Sequence, residues 1–351
     1  MFEAVLVAYR GEIAVRIVRT LRRLGVRAVV AASPADRDSL AAREADAVAL
    51  LRGSAPAESY LEGEQVIAAA RAHGCGAIHP GYGFLAESAA FARACTAAGI
   101  VFIGPPPEAM EALGDKARAR QFAARLGIPV VPGFDGDGGD AALLAAAEAV
   151  GFPLLIKARA GGGGRGMRLA RTPGELAGLL AEARREAEAA FGDGGLLLER
   201  VVERPRHIEV QVLADGHGTV VHLGERECSV QRRRQKLVEE APSPAVDPGL
   251  RAELTEAAVR LAREAGYVNA GTVEFLVGEP GPGGRRPWYF LEVNPRLQVE
   301  HPVTEAVIGL DLVELQVRIA AGERLPFGQE EVELRGHAIE CRINAEDPRE
   351  G

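Results

Sequence analysis

Two apolar segments carry acidic side chains at a spacing suited to binding a divalent cation. Glu292 and Asn294 lie two residues apart in one apolar run, so a β-strand would point both from the same face. Glu274 lies in a second apolar run, and the segment 278–287 between the runs has the glycine and proline content of a hairpin loop. Pairing the two strands would place Glu274 beside Glu292. Such oxygen ligands hold Mg²⁺ while nucleotide phosphates supply further contacts, although a solvated strand face would give the same pattern.

The densest basic segment covers residues 227–236 and includes Arg232, Arg233, Arg234 and Lys236. A nucleic-acid surface would also need aromatic residues for base stacking, and none is interleaved here. The whole chain carries a formal net charge of −8, which argues against binding to nucleic acid or to an anionic membrane. We therefore expect a local pocket for a small anion.

A second candidate for anion binding is the glycine-rich segment 161–166. It follows a predicted strand that ends in Lys157, and a second predicted strand covers 167–170. This order is strand, glycine loop, strand, whereas the common phosphate-binding P-loop runs from a strand into a helix and ends in Gly-Lys-Ser/Thr. Backbone amides at such a tip could bind phosphate oxygens and close over a ligand as a lid. A passive flexible loop is the alternative.

The elements before these segments alternate between strand and helix. Apolar runs at 4–8, 26–32, 47–50, 76–79 and 100–103 predict short strands, separated by stretches with helical spacing such as 11–24 and 64–72. This alternation predicts a parallel, doubly wound sheet over residues 4–103. The first turn lacks G-x-G-x-x-G, so dinucleotide binding there is not expected.

Length and composition restrict the class of protein. With 351 residues and 47% hydrophobic content, the chain can bury a large core divided into two or three domains. Its apolar runs are strand-sized, well short of the roughly 18 residues of a membrane span. The first residues lack the basic opening of a secretory signal. Four widely separated cysteines without a C-x-x-C pair favour reduced thiols, and we expect a cytoplasmic protein.

Taken together, the sequence closely resembles the biotin carboxylase component of biotin-dependent carboxylases, within the ATP-grasp superfamily. The resemblance covers the whole chain and rests on seven segments in order: 10–14, 79–85, 114–116, 161–167, 231–236, 292–305 and 337–347. It implies an α/β N-terminal doubly wound domain plus an α+β ATP-grasp lid and an incomplete C-terminal domain. The implied boundaries are 1–113 for the first unit, 114–202 for linker helices and the lid with its glycine loop, and 203–351 for the C-terminal catalytic unit.

The resemblance implies a ligase that uses ATP and bicarbonate to form carboxyphosphate and transfers the resulting CO₂ to N1 of biotin. The sequence has no Ala-Met-Lys-Met biotin attachment motif. The implied partners are therefore a biotin carboxyl carrier protein or domain and a carboxyltransferase component, with a homodimer where the C-terminal part is present. Because the family extends roughly a hundred residues further, we expect this chain to be a fragment. The final acceptor, whether an acyl-CoA, pyruvate or urea, is left open.

The resemblance also implies roles for individual residues. The ATP site would consist of Lys116, Lys157, Gly162, Gly163, Gly164, Glu199, Arg200, Val202, His207, Gln231 and Leu276. Two Mg²⁺ or Mn²⁺ ions would be held by Glu274, Glu292 and Asn294. Bicarbonate would be bound by Lys236, Arg296, Gln298 and Val299. The catalytic group would consist of Lys236 and Arg296 together with Glu300, the general base, and Arg342, which would stabilise the enolate of biotin.

The sequence departs from the family pattern at positions within or next to these segments. Tyr9 stands where Asn is usual, Arg234 where His is common, and Pro295 where bacterial members often have Thr. Two other functions remain open. One is a different ATP-grasp ligase, such as a carbamoyl-phosphate-forming or purine enzyme, and the other is a truncated nucleotide-binding subunit without turnover. The combination of Lys236, the segment 296–301 and Arg342 favours biotin carboxylation.

Overall fold

The computed structural model describes residues 1–134, 139–159, 167–344, 347 and 349. Its first part alternates strands and helices and forms a parallel sheet in the order β3-β2-β1-β4-β5. Apolar residues cover both faces of this sheet. The elements are β1 Ala4–Val7, α1 Gly11–Arg23, β2 Arg27–Ala32, α2 Leu40–Glu44, β3 Ala47–Leu50, α3 Gly63–Ala72, β4 Ala77–His79, α4 Ala89–Ala97 and β5 Val101–Phe102. The predicted doubly wound sheet is confirmed.

The second part begins with two helices and continues into an antiparallel sheet in the order β6-β9-β7-β8. Its elements are α5 Pro107–Gly114, α6 Lys116–Arg125, β6 Gly133–Phe134, α7 Gly139–Val150, β7 Leu154–Ala158, β8 Met167–Ala170, α8 Pro173–Phe191 and β9 Leu196–Arg200. Gly133 and Phe134 form a two-residue strand that pairs with β9. A Cβ atom at Gly133 would lie 2.4 Å from the carbonyl oxygen of Leu198, so the close strand approach requires glycine.

The third part is an antiparallel sheet with the strand order β14-β13-β10-β11-β12-β15, and α9, α10 and α11 pack against it. Its elements are β10 Arg206–Ala214, β11 Val220–Arg232, β12 Gln235–Ala241, α9 Pro248–Glu264, β13 Asn269–Val277, β14 Trp288–Asn294, α10 His301–Ile308, α11 Leu312–Ala320 and β15 Ala338–Cys341. The predicted hairpin of β13 and β14 is confirmed, and its register places Glu274 opposite Glu292. The fold class therefore agrees with the sequence: a doubly wound α/β part is followed by α+β parts.

Contacts between the first and third parts hold the sheet of β1–β5 against the larger antiparallel sheet. One apolar cluster contains residues of β1 and α1 together with residues of α11. At its edge, Arg16 of α1 donates to Glu305 of α10 at 2.9 Å and lies 3.0 Å from Asp311, which caps α11. Both contacts are partly shielded from water, where charge pairs are screened less than at the surface. Among the described residues, the helices are too short or too polar to cross a bilayer.

Candidate active site

A cavity of about 390 Å³ lies between the sheet of β6–β9 and the hairpin of β13 and β14. Predicted ATP-site and metal-site residues from distant parts of the sequence line this one cavity: Lys116, Lys157, Glu199, Arg200, Val202, His207, Gln231, Glu274, Leu276 and Glu292. The glycines 162–164 lie outside the described residues. A concave site with a few convergent polar groups is the usual form of a small-molecule site. The fold therefore brings the described part of the predicted nucleotide site together.

Two lysines place positive charge on the cavity wall. Lys116 is the first residue of α6, where Asp115 caps the helix by accepting from the Arg118 amide at 2.8 Å. The Lys116 Nζ atom lies 2.6 Å from Glu292 Oε2. Burial works to lower the pKa of Lys116, but the Glu292 carboxylate outweighs it and the pKa is raised. Lys157, at the end of β7, pairs with Glu199 of β9. Both cations are suited to neutralising phosphate oxygens.

Glu274 is the most highly connected acid of the site. Its Oε1 atom accepts from Asn294 Nδ2 at 2.8 Å and Gln298 Nε2 at 2.9 Å, while its Oε2 atom lies 2.7 Å from His207 Nε2. Burial works to raise the pKa of Glu274, but His207 and Lys236 hold it well below its usual value. The carboxylate is therefore ionised. Together with the opposed Glu292 and the Asn294 amide oxygen, it forms an oxygen donor set whose chemistry fits a hard divalent cation.

A buried charge cluster adjoins the cavity and is centred on Lys236 of β12. The Lys236 ammonium donates to Glu209 at 2.5 Å, to Glu274 at 3.1 Å and to Glu300. Burial lowers the pKa of Lys236, but the surrounding carboxylates raise it well above its ordinary value. Glu300 immediately precedes α10 and is 2% exposed. Its second oxygen accepts from Arg342 at 3.1 Å, so two cations orient this carboxylate.

The other residues expected to bind bicarbonate lie on the segment between β14 and α10. Arg296 donates to Glu87 of the first part at 2.8 Å and to the Asn294 side-chain oxygen at 3.0 Å. Gln298 is buried, and Val299 is half-buried. Arg296 is therefore linked to the Lys236 cluster through Asn294 and Glu274. Its contact with Glu87 ties the site to the doubly wound part, a connection that the sequence did not predict.

Sequence reasoning also missed the buried hub of the site, Arg226. This side chain has no exposed surface. Its guanidinium donates to acceptors on four different elements at 2.7–3.2 Å: Glu209, Gln211, Thr272, Gln298 and Thr304. A signal was present, because Glu209 and Gln211 lie two residues apart in an otherwise apolar strand and must face the same side. A buried charge needs such a full set of partners.

Tyr9, a departure from the family pattern, packs against the turn at 80–85. Its ring centroid lies 5.1 Å from that of Tyr82 and 4.7 Å from that of Phe84. A Cβ atom at Gly83 would lie 2.6 Å from the Tyr9 hydroxyl oxygen, so this turn depends on glycine for its close approach. The Tyr82 hydroxyl donates to Glu12. These contacts give Tyr9 a packing role.

Comparison with known proteins agrees with the geometry. Residues 1–110 match the family described as "Biotin carboxylase, N-terminal domain", and residues 115–327 match "Carbamoyl-phosphate synthase L chain, ATP binding domain". The biotin carboxylase of Nostoc is 51% identical, with 99% of this chain and 77% of the relative covered. The chloroplastic biotin carboxylase of Arabidopsis thaliana is 53% identical, with 99% of this chain covered. This chain spans 64% of that relative's length.

Two solved structures have the same fold. A biotin carboxylase from Campylobacter jejuni, described as a complex with β,γ-ATP, has a TM-score of 0.93 and 46% identity, covering 99% of this chain and 77% of that one. The biotin carboxylase domain dimer of Hydrogenobacter thermophilus 2-oxoglutarate carboxylase has a TM-score of 0.92 and 48% identity, covering 100% of this chain and 76% of that one. Its description names MgADP, ADP and bicarbonate. In both sequence and structure, this chain belongs to the biotin carboxylase family.

Proposed function

We propose that this chain catalyses the ATP-dependent carboxylation of biotin by bicarbonate, the first half-reaction of a biotin-dependent carboxylase. The observation that carries the proposal is the position of the Lys236–Glu300–Arg342 cluster beside a cavity lined by the candidate nucleotide residues. Phosphoryl transfer depends mainly on positioning and charge compensation, and this cavity provides both. The names of the relatives support the same reaction.

In the nucleotide half of the site, Lys116 and Lys157 would neutralise the phosphates of ATP. Val202 and Leu276 give the cavity apolar walls, and Glu199 and Arg200 present the backbone of β9 to an adenine ring. His207 and Gln231 are joined at 2.9 Å and would bind the ribose hydroxyls. The glycines 162–164 belong to the same proposal. Glu274, Glu292 and Asn294 would hold Mg²⁺ or Mn²⁺, whose charge would compensate that of the phosphates.

In the other half, Glu300 is the proposed general base for bicarbonate. Its two oxygens are held by Lys236 and Arg342, so the carboxylate is fixed in position to accept a proton from a bound acid. Lys236, Arg296, Gln298 and the Val299 amide would bind the bicarbonate anion. Arg342 carries a permanent charge and would stabilise negative charge that develops on the ureido oxygen of biotin.

The proposal extends to the organisation of the protein and its partners. Three units, 1–113, 114–202 and 203–351, are supported by the three sheets, which occupy successive parts of the chain. The biotin would be presented by a carrier protein or domain and passed on to a carboxyltransferase component. A homodimer, where the C-terminal part is present, is supported by the dimer described for the Hydrogenobacter domain. The four cysteines are free thiols, which suits the cytoplasm.

A different ATP-grasp ligase is the second candidate, favoured by the match of residues 115–327 to the carbamoyl-phosphate synthase ATP-binding domain. The two activities differ in the molecule that accepts the activated carboxyl group. A carbamoyl-phosphate-forming enzyme would respond to ammonia, whereas a biotin carboxylase would respond to biotin. Adding each acceptor separately to the same ATPase assay distinguishes them.

The test is release of ADP by the purified chain, measured with and without bicarbonate and free biotin. We expect bicarbonate-dependent turnover that biotin increases and that Glu300→Gln lowers by roughly 100-fold or more, the scale of a lost general base. Glu333→Gln changes an exposed acid paired with Arg335 and is the matched control. Equal turnover without bicarbonate would reject the assignment. Binding of ATP without any turnover would favour a non-catalytic nucleotide-binding subunit.

A further inference from the structure

Two acidic side chains face one another next to the Lys236 cluster. Strand β15 pairs with β12 at the edge of the six-stranded sheet, and the register places Glu340 directly opposite Glu239. Side chains in such a pair have Cβ atoms roughly 4.5–5.5 Å apart, and like charges there are destabilising. Glu239 has no exposed surface, and Glu340 is half-buried. The pair therefore holds two carboxyl groups where repulsion is poorly screened.

The hydrogen bonds leave one oxygen of each group unsatisfied. Glu239 Oε1 accepts from Arg342 Nε at 2.5 Å. The Oε2 atoms of both Glu239 and Glu340 are shielded from solvent, and neither has a partner among the described residues. An ionised carboxylate can only accept hydrogen bonds, so two ionised groups cannot satisfy each other. One proton would turn one of them into a donor for the other.

The surrounding charges favour placing this proton on Glu340. The charged groups that act on Glu340 are Glu239 from β12, Arg226 from β11, Glu300 from the start of α10, and Arg342 from the segment after β15. Lys236 from β12 acts on Glu239. Burial, followed by the charges of Glu239 and Glu300, raises the pKa of Glu340 to about 7. Burial also raises the pKa of Glu239, but Arg342 opposes that rise. The hydrogen bond that Glu239 accepts from Arg342 favours Glu239 as the anionic member of the pair.

We propose that Glu239 and Glu340 share one proton, which Glu340 carries and donates to Glu239, so that Glu239 remains the anionic acceptor that positions Arg342. The proton is held when Arg342 bridges Glu239 and Glu300. Loss of the proton places a negative charge on Glu340, next to Glu239 and Arg342. The electrostatic attraction of the Arg342 guanidinium towards β12 and β15 then increases relative to its attraction towards Glu300. Glu239 and Glu340 are positioning residues, and the pair makes the placement of Arg342 dependent on pH.

The shared proton is measurable without turnover, by infrared difference spectra of the full chain during a pH titration. We expect the carbonyl stretch of a protonated carboxylic acid to disappear with a midpoint near the Glu340 pKa of about 7 and to be missing in Glu340→Gln. Glu239→Gln removes the neighbouring charge and should lower that midpoint by about one pH unit. Glu240→Gln is the matched control, because Glu240 is the next residue of β12 and pairs with His337. A wild-type signal that persists in Glu340→Gln would overturn the proposal.

The effect on turnover rests on the proposed function and is tested through pH profiles of the biotin-stimulated ATPase. About one pH unit below the midpoint, Glu340→Gln should keep kcat/KM for biotin within about twofold of wild type, because its amide still donates to Glu239. Above the midpoint, the wild-type value should change with pH while that of Glu340→Gln stays flat. Glu340→Ala should be impaired at both pH values. Equal pH profiles for wild type and Glu340→Gln would refute the positioning role. Absence of any ATPase activity would reject the proposed function. In that case the infrared titration would still test whether Glu239 and Glu340 share a proton.

Discussion

Replacing Arg226 with methionine should destabilise the fold by roughly 3–5 kcal/mol, the cost of removing one partner from a buried ion pair. Arg226 Nε lies 2.7 Å from Glu209 Oε1, and neither side chain is exposed. The replacement has a similar volume but leaves Glu209 with the Lys236 ion pair and a longer contact to His207 at 4.0 Å. It also removes the donors of neutral acceptors such as Gln298. An exposed pair provides the contrast. Arg285 and Glu253 lie 3.2 Å apart with side chains 80% and 40% exposed, and Arg285→Met should cost roughly 0–1 kcal/mol.

Urea denaturation followed by circular dichroism measures both changes, since the free energy of unfolding falls linearly with denaturant concentration. The double variant Arg226→Met with Glu209→Gln should recover part of the loss, because it removes a buried carboxylate that has lost one of its two cationic partners. The variant Arg226→Met should also raise KM for bicarbonate, as Arg226 holds the Gln298 oxygen at 2.9 Å. A loss as small as that of Arg285→Met, or a double variant as unstable as the sum of the two single variants, would refute this account of the hub.

Three further predictions concern the site and its supports. Lys236→Gln should reduce bicarbonate-dependent ATPase by roughly 100-fold, since Lys236 holds Glu300, the proposed general base. Lys236 also contacts Glu274, but that acid keeps its contacts with Asn294, Gln298 and His207, so ATP binding by calorimetry should change little. A loss of ATP binding instead would contradict the division of roles. Gly83→Ala should cost about 1–3 kcal/mol in urea unfolding, because its Cβ would overlap the Tyr9 hydroxyl, and Tyr9→Phe should restore part of it. Burial lowers the pKa of His79 to about 3 and that of His301 to about 4, from an ordinary 6.5. Below pH 6.5 the unfolded chain therefore binds more protons than the folded chain, and the free energy of unfolding should fall as the pH drops from 6.5 towards 4. His301→Gln should flatten this dependence.

Much of the architecture could be predicted because its signals are local. Alternation in the segment around Glu274 and Glu292 identified two strands and their common face, and the loop between them indicated their pairing. Apolar spacing likewise predicted α1, whose Ile13, Ile17 and Leu21 are fully buried. The short strand at Gly133 was not predicted, because two residues carry no periodicity and its partner β9 is distant in sequence.

The candidate site divides in the same way. The sequence by itself determined which residue types were available, their order, and the faces from which Glu274 and Glu292 project. Only the tertiary structure decided that Arg226 is the buried hub, that Arg296 pairs with Glu87 across 209 positions, and that Glu239 opposes Glu340. The reason is physical. The direction of a side chain follows from the repeat of its own strand or helix, whereas the partner of a buried charge depends on how separate elements pack and on which groups that packing removes from water.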